Sequence, residues 1–231
     1  MKQVGGVWLP DHETHLVEWM TKKNQVVDGK LTYQLDKQNA AYSFCKQFRH
    51  AIDIGAHCGL WSMIMATKFK ELWAFEPVAE HRECFKANIP GDYVEETTNS
   101  WLRMDDGCKV FLAGGALGEK FGRVSMETAP SSSGDTRVID GGTVPLWPLD
   151  EFCAGSEEVD FIKLDCEGYE LFALRGGENL IKRCMPVICV EQKPGRGQRF
   201  GLPERGAVEY LQSLGYKLAK EMSGDFIMVP A

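Results

Sequence analysis

The chain of 231 residues contains no apolar run approaching the roughly 18 residues that a membrane-spanning helix needs, so no transmembrane span is expected. Its first residues, MKQVGGVWLPDHETH, lack the basic-then-apolar order of a secretory signal, and a cytoplasmic address is the expectation. Positive charge is in short supply as well. The net charge of −7 disfavours nucleic acid as a partner, because polyphosphates are held largely by lysine and arginine. None of the eight cysteines, at 45, 58, 84, 108, 153, 166, 184 and 189, forms a C-x-x-C pair. Most lie in apolar runs and read as small buried hydrophobes in a reducing compartment, rather than disulfides or zinc ligands. No internal repeat and no low-complexity tail is present.

What is there is a strand–turn–helix rhythm. Ala51-Ile52-Asp53-Ile54-Gly55 reads as a buried strand running into a turn, and residues 60–69 as an apolar helix. Residues 72–76 read as a second strand ending in an acid, with Pro77 just ahead of a helix over 79–88. This βαβ order favours a parallel sheet. The rhythm returns in Phe161–Asp165, a helix at 169–175 stopped by Gly176-Gly177, and the strand Pro186–Glu191. Pro203 opens a further helix, and Tyr216–Glu221 with Phe226–Val229 reads as a terminal antiparallel hairpin around Ser223-Gly224-Asp225. Ala41, Phe44, Cys45 and Phe48 have helical spacing over 38–49 and close a segment, residues 1–49, that reads as a cap ahead of a core over 50–231. Residues 91–109 and 125–148, with Pro130, Pro145 and Pro148, read as irregular loops.

Three motifs carry chemistry. In Asp53-Ile54-Gly55-Ala56-His57-Cys58-Gly59 a glycine after a strand lets the backbone approach a ligand, and a second glycine opens the helix. The G-x-G-x-x-G of dinucleotide dehydrogenases is missing, and an acid precedes the turn. An acid there repels a pyrophosphate but suits a ligand with an amino group and a sulfonium, so S-adenosylmethionine fits better than NAD. Glu76 follows Asp53 by 23 residues, the place of an acid that accepts hydrogen bonds from ribose hydroxyls. In Asp160–Glu170, Asp165 and Glu167 end a strand where ligands of open α/β sheets bind. There a carboxylate deprotonates a hydroxyl, faces the sulfonium or holds a divalent metal, while one of the two also suits the cap of the following helix.

The runs IDIGAHCGLWS, WAFEP, ALGEKFG, PLD and VDFIKLDCEGYELFALRGG, with a strand ending in Glu191, resemble the FkbM-type methyltransferases over roughly residues 50–220. The resemblance implies the class I methyltransferase Rossmann-like α/β fold, a central, mostly parallel seven-stranded sheet with an antiparallel last strand and helices on both faces. It implies S-adenosylmethionine as methyl donor and O-methylation, commonly of a sugar hydroxyl. It assigns Asp53, Gly55, Ala56, His57 and Gly59 to the cofactor loop, Glu76 with Pro77 to the ribose, and Gly115, Ala116 and Leu117 to the adenine. Asp165, then Glu191, then Glu167 are the expected catalytic acids of an in-line transfer to a small-molecule or glycan acceptor. The extra length of 91–109 and the unmatched first 45 or so residues leave room for a different acceptor.

Two rival readings remain open. Asp165, Glu191 and Gln192 are also oxygen ligands suited to Mg²⁺, as in metal-dependent catechol-type methyltransferases. A cofactor-binding protein without catalysis is the other. An amino-methylating DNA enzyme is disfavoured, since no [DN]-P-P-[YF] run follows the fourth strand. Trp61 and Trp73 are expected in the core, and Trp8, Trp101 and Trp147 are candidates for an apolar acceptor wall. His12 and His15 read as a solvent-exposed pair. Lys193, Arg196 and Arg199 form a basic loop, solvated or facing an acidic acceptor. Nothing in the sequence fixes an oligomeric state.

Overall fold

The computed structural model describes residues 1–97, 100–103, 107–129, 132–152 and 158–231, so Pro130 and Cys153 lie outside the described residues. One large sheet organises the chain. Its strands are β1 (His50–Ile54), β2 (Glu71–Phe75), β3 (Tyr93–Thr97), β4 (Ser100–Arg103), β5 (Lys109–Ala113), β6 (Val159–Leu164), β7 (Val187–Glu191), β8 (Tyr216–Met222) and β9 (Asp225–Pro230). Among the described residues they form nine strands in the order β8-β9-β7-β6-β1-β2-β5-β4-β3.

The five central strands, β7, β6, β1, β2 and β5, are mutually parallel. Every residue of β1 and β7 is buried, as a parallel strand covered on both faces requires. Ile52 and Ile54 face a core with helices Glu170–Arg175, Glu178–Cys184 and Gly206–Ser213. Ala51 faces the other, with helices Leu35–Tyr42, Ser62–Lys68 and Ala79–Asn88. Helices thus cover both faces of an α/β sheet, and the order reverses between β6 and β1, which makes a crevice at their carboxyl ends.

The expectation of seven strands needs correction. The terminal hairpin β8–β9 pairs antiparallel with β7, and a second hairpin, β3–β4, extends the opposite edge through β5. That hairpin comes from the stretch 91–109, read above as a loop. Its outer strand is mostly exposed and lacks an apolar face. The stretch 125–148 is also built rather than irregular. Strands Ala116–Leu117, Gly122–Ala129, Ser132–Asp140 and Val144–Trp147 make a separate four-stranded sheet around Ala116, Val124, Val138 and Leu146. The helix expected over 38–49 ends at Tyr42, and Phe44 and Phe48 lie beyond it, more than a third exposed, with Phe48 resting against the Phe69 ring. No disulfide joins the described cysteines to one another, and no helix among the described residues is long and apolar enough to cross a membrane.

Candidate active site

The site is built where β1 and β6 end. Gly55 has a φ of +77°, and a Cβ there would stand 1.9 Å from the Asp165 carbonyl oxygen, so only glycine lets the two strand ends touch. The Gly55 and Ala56 amides both donate to the Phe75 carbonyl, at 3.0 and 3.1 Å, which ties the loop to β2. Gly59 closes the turn by donating to Ala56, and a Cβ on it would strike the Phe85 ring at 2.7 Å.

A pocket opens over these strand ends. Of the residues expected at the cofactor, Asp53, Gly55, Ala56, His57, Glu76, Pro77, Gly115, Ala116, Leu117 and Asp165 line it, as does Glu167. Gly59 shapes the loop from behind and is not a lining residue. Asp53 is 2% exposed and accepts the Ser62 hydroxyl at 2.6 Å, and burial pushes its carboxyl up to about 6. Glu76 accepts the backbone N–H of His57 and of Val78, both at 2.8 Å, and pairs with His81 Nδ1 at 3.2 Å. Burial opposes its charge, but those partners outweigh burial and hold the carboxyl below its ordinary value. His81 Nε2 is buried without a partner among the described residues and borders the same pocket. Burial, reinforced by His81, pushes His57 down to about 3, so its imidazole is neutral at physiological pH.

At the other end, one carboxylate oxygen each of Asp165, Glu167 and Glu191 lies within 4.8 Å of the others. Burial works against charge on Asp165, yet Lys163 and Lys193 overcome it and keep this acid ionised. Burial and the charge of Asp165 push Glu191 up to about 9 and Glu167 up to about 8. Each acid already faces a cation: Lys163 Nζ is 3.5 Å from Asp165, Lys193 Nζ is 2.9 Å from Glu191, and Arg196 pairs with Glu167. Gln192 does not join them, because its Oε1 accepts the Val208 backbone N–H at 3.1 Å and serves helix Gly206–Ser213 instead. The set therefore does not fit Mg²⁺: its charge is compensated by side chains and one expected ligand points away.

Other expectations are redistributed. Trp8, Trp101 and Trp147 do not line the pocket, whereas Trp61 does, stacked 6.5 Å from Phe161 with its indole N–H donating to Gln34. Trp73 packs against His50 and Phe111 in the core. His12 and His15 are exposed, His15 at the pocket's rim. Lys193 and Arg196 are spent on Glu191, Glu167 and Asp135. Sequence reading missed Tyr33, Ser133, Asp135 and Lys163 in the lining. It also missed Glu170, which is 2% exposed and accepts the Cys166 and Gly168 amides at 2.9 and 3.0 Å, fixing the Asp165–Glu167 turn. The one usable signal was Lys163, a lone charge inside the strand run Phe161-Ile162-Lys163-Leu164.

A strand-end crevice with a glycine turn, a buried acid on the next strand and an acidic turn at the switch point defines a cofactor-binding α/β protein. The chain belongs to the methyltransferase FkbM domain family, whose model matches residues 53–218, more than half of its length. Solved structures resemble it distantly. Methyltransferase FkbM from Methylobacillus flagellatus KT is 17% identical over 78% of this chain and 42% of its own, with a TM-score of 0.45. The present chain thus spans less than half of that protein. An rRNA methylase from Streptococcus thermophilus is 10% identical over 84% and 92%, with a TM-score of 0.46. TrmK of M. capricolum, solved with S-adenosyl-homocysteine, is 12% identical over 84% and 66%, with a TM-score of 0.40. No curated protein matches the chain.

Proposed function

We propose that this chain is an S-adenosylmethionine-dependent O-methyltransferase acting on a hydroxyl of a sugar, a glycoside or another small molecule. The observation that carries this reading is the pocket itself. One end offers Glu76 as a buried acceptor beside the unpartnered His81 Nε2, suited to ribose hydroxyls; the other offers an ionised Asp165. The cofactor, when bound, supplies an electrophilic methyl group on a cationic sulfur. Asp53 and Asp165 face the pocket with carboxylates that are ionised at neutral pH, which suits a cation and repels a pyrophosphate. Asp165 accepts the proton of the acceptor hydroxyl. Lys163 balances it from below, with its ammonium also 3.3 Å from Asp225 and 5.1 Å from the Trp61 ring centre. Turnover needs no Mg²⁺ in this reading, because the acids already have their cations.

The test is calorimetric titration with S-adenosylmethionine and with NAD, each with Mg²⁺ and with EDTA, followed by methyl transfer to glycosides and catechols. Saturable binding of S-adenosylmethionine alone, indifferent to EDTA, is expected. Asp165→Asn is expected to retain binding while losing about 10²-fold or more in turnover, the size of a general-base contribution. Binding of NAD, or of neither ligand, overturns the reading. A fully active Asp165→Asn removes Asp165 from its role, and binding without turnover on any acceptor favours the non-catalytic alternative.

A further inference from the structure

Residue 13 precedes the family-matched region and residue 133 lies in the four-stranded sheet, yet the roof of the pocket joins them. Glu13 is fully buried. Its Oε1 accepts the Leu16 backbone N–H at 2.8 Å, at the start of helix His15–Lys23. Its Oε2 accepts both the backbone N–H and the hydroxyl of Ser133, at 2.6 and 2.5 Å. Ser133 is fully buried too, and its Oγ lies 2.8 Å from His57 Nε2. The serine has a single hydroxyl proton and gives it to Glu13, so the neutral imidazole is the donor in the second bond. The His57 backbone N–H then donates to Glu76 Oε2 at 2.8 Å. Four residues from four distant stretches of chain make one hydrogen-bonded line.

A buried carboxylate must be satisfied in any fold, so the bonds of Glu13 alone decide nothing. Two further observations do. Ser133, His57 and Glu76 all border the pocket, so the line runs along a ligand surface rather than through the core. His57 holds a φ of +52°, a conformation that non-glycine residues keep only where their surroundings fix it. Two positions along the strand from Ser133, and so on the same face, Asp135 is pinned to Arg196, so the strand is fastened at two points along its pocket-lining stretch.

Resting on the cofactor reading above, we infer that Glu13 and Ser133 are cofactor-positioning residues. They latch strand Ser132–Asp140 over the pocket and hold His57, and through its backbone Glu76, in the geometry that receives the ribose. Residue 13 lies outside the family-matched region, so the binding site is completed by a segment the family model does not contain.

The experiment is titration of the wild type, Ser133→Ala and Glu13→Gln with S-adenosylhomocysteine, together with amide exchange over residues 132–140 with and without it. The wild type is expected to bind, and exchange in that strand to slow on binding. Both variants are expected to lose about tenfold or more in affinity, as for a lost hydrogen bond to a charged group, and the strand's exchange no longer responds to ligand. Ser133→Ala keeps the backbone bond to Glu13 and so tests the latch even if Glu13→Gln fails to fold. A folded Ser133→Ala that binds like the wild type overturns the inference, as does wild-type exchange that ignores the ligand. A wild type that does not bind at all overturns the cofactor reading itself.

Discussion

Asp53 is an acid that the fold keeps nearly dry. Its carboxyl, ordinarily near 3.8, rises to about 6 because burial penalises the charge. Between those values the folded chain holds a proton that the unfolded chain has released. Stability present below the unfolded value is therefore lost as pH rises through about 6, and the loss is complete above it. A shift of this size is worth about 3 kcal/mol. Asparagine keeps an oxygen for the Ser62 hydroxyl and removes the titration. Asp53→Asn is expected to stabilise the chain by up to about 3 kcal/mol at pH 8, and by about half of that at pH 5. Urea unfolding at the two pH values measures this, and an equal gain at both would show that the charge is not what burial penalises. The same variant is expected to weaken cofactor binding, a stability held back for function at the strand end.

Among the elements, the β3–β4 hairpin, paired to β5, is braced against the neighbouring helix by the Trp101 ring. Trp101 on β4 has Lys86 Nζ 4.0 Å and the Arg82 guanidinium 5.3 Å from its ring centre, both from helix Ala79–Asn88. Trp101→Ala removes these cation–π contacts and half-buried area, and is expected to cost about 2 kcal/mol in denaturant unfolding. Cofactor affinity should not change, since Trp101 stays clear of the pocket, and a loss of affinity would tie the hairpin to the site. The hairpin also shows why part of the chain was illegible. β1 and β7 announce themselves because a parallel strand covered on both faces must be apolar throughout, whereas Tyr93-Val94-Glu95-Glu96-Thr97 is an edge strand with little to bury. The site divides in the same way. Gly55, Glu76 and Asp165 sit at strand ends whose positions the rhythm of the chain fixes. Ser133 and Asp135 sit on a strand in polar surroundings, and Tyr33 comes from the N-terminal segment; contacts that far apart in sequence leave no local pattern. The spacing of Phe44 and Phe48 misled because periodicity over so short a stretch does not fix where a helix ends.

On the scale of the whole molecule, the family-matched region does not stand alone. Val7, Leu9, Leu16, Met20 and Leu31 form a buried cluster with Cys58, Leu60 and Cys84, so the back of the Gly55–Gly59 turn rests on the N-terminal segment. Lys37 from the same segment reaches Asp225 on β9, which in turn faces Lys163 beneath the pocket. If the turn binds the proposed cofactor, folding of the segment and binding there are expected to be linked. Met20 is fully buried in that cluster, and Met20→Ala is expected to cost about 3 kcal/mol as a cavity in a packed core. A cavity with no consequence for the pocket would leave the stabilisation by bound ligand unchanged, because that term depends only on ligand concentration and affinity. A looser segment lets the Gly55–Gly59 turn and the Glu13 latch move, which raises the dissociation constant and shrinks that stabilisation. Thermal unfolding of the wild type and of Met20→Ala, each with and without saturating S-adenosylhomocysteine, separates the two cases. The upward shift in Tm on adding ligand is expected to be smaller in the variant. Equal shifts would mean that the segment supports the fold without supporting the site.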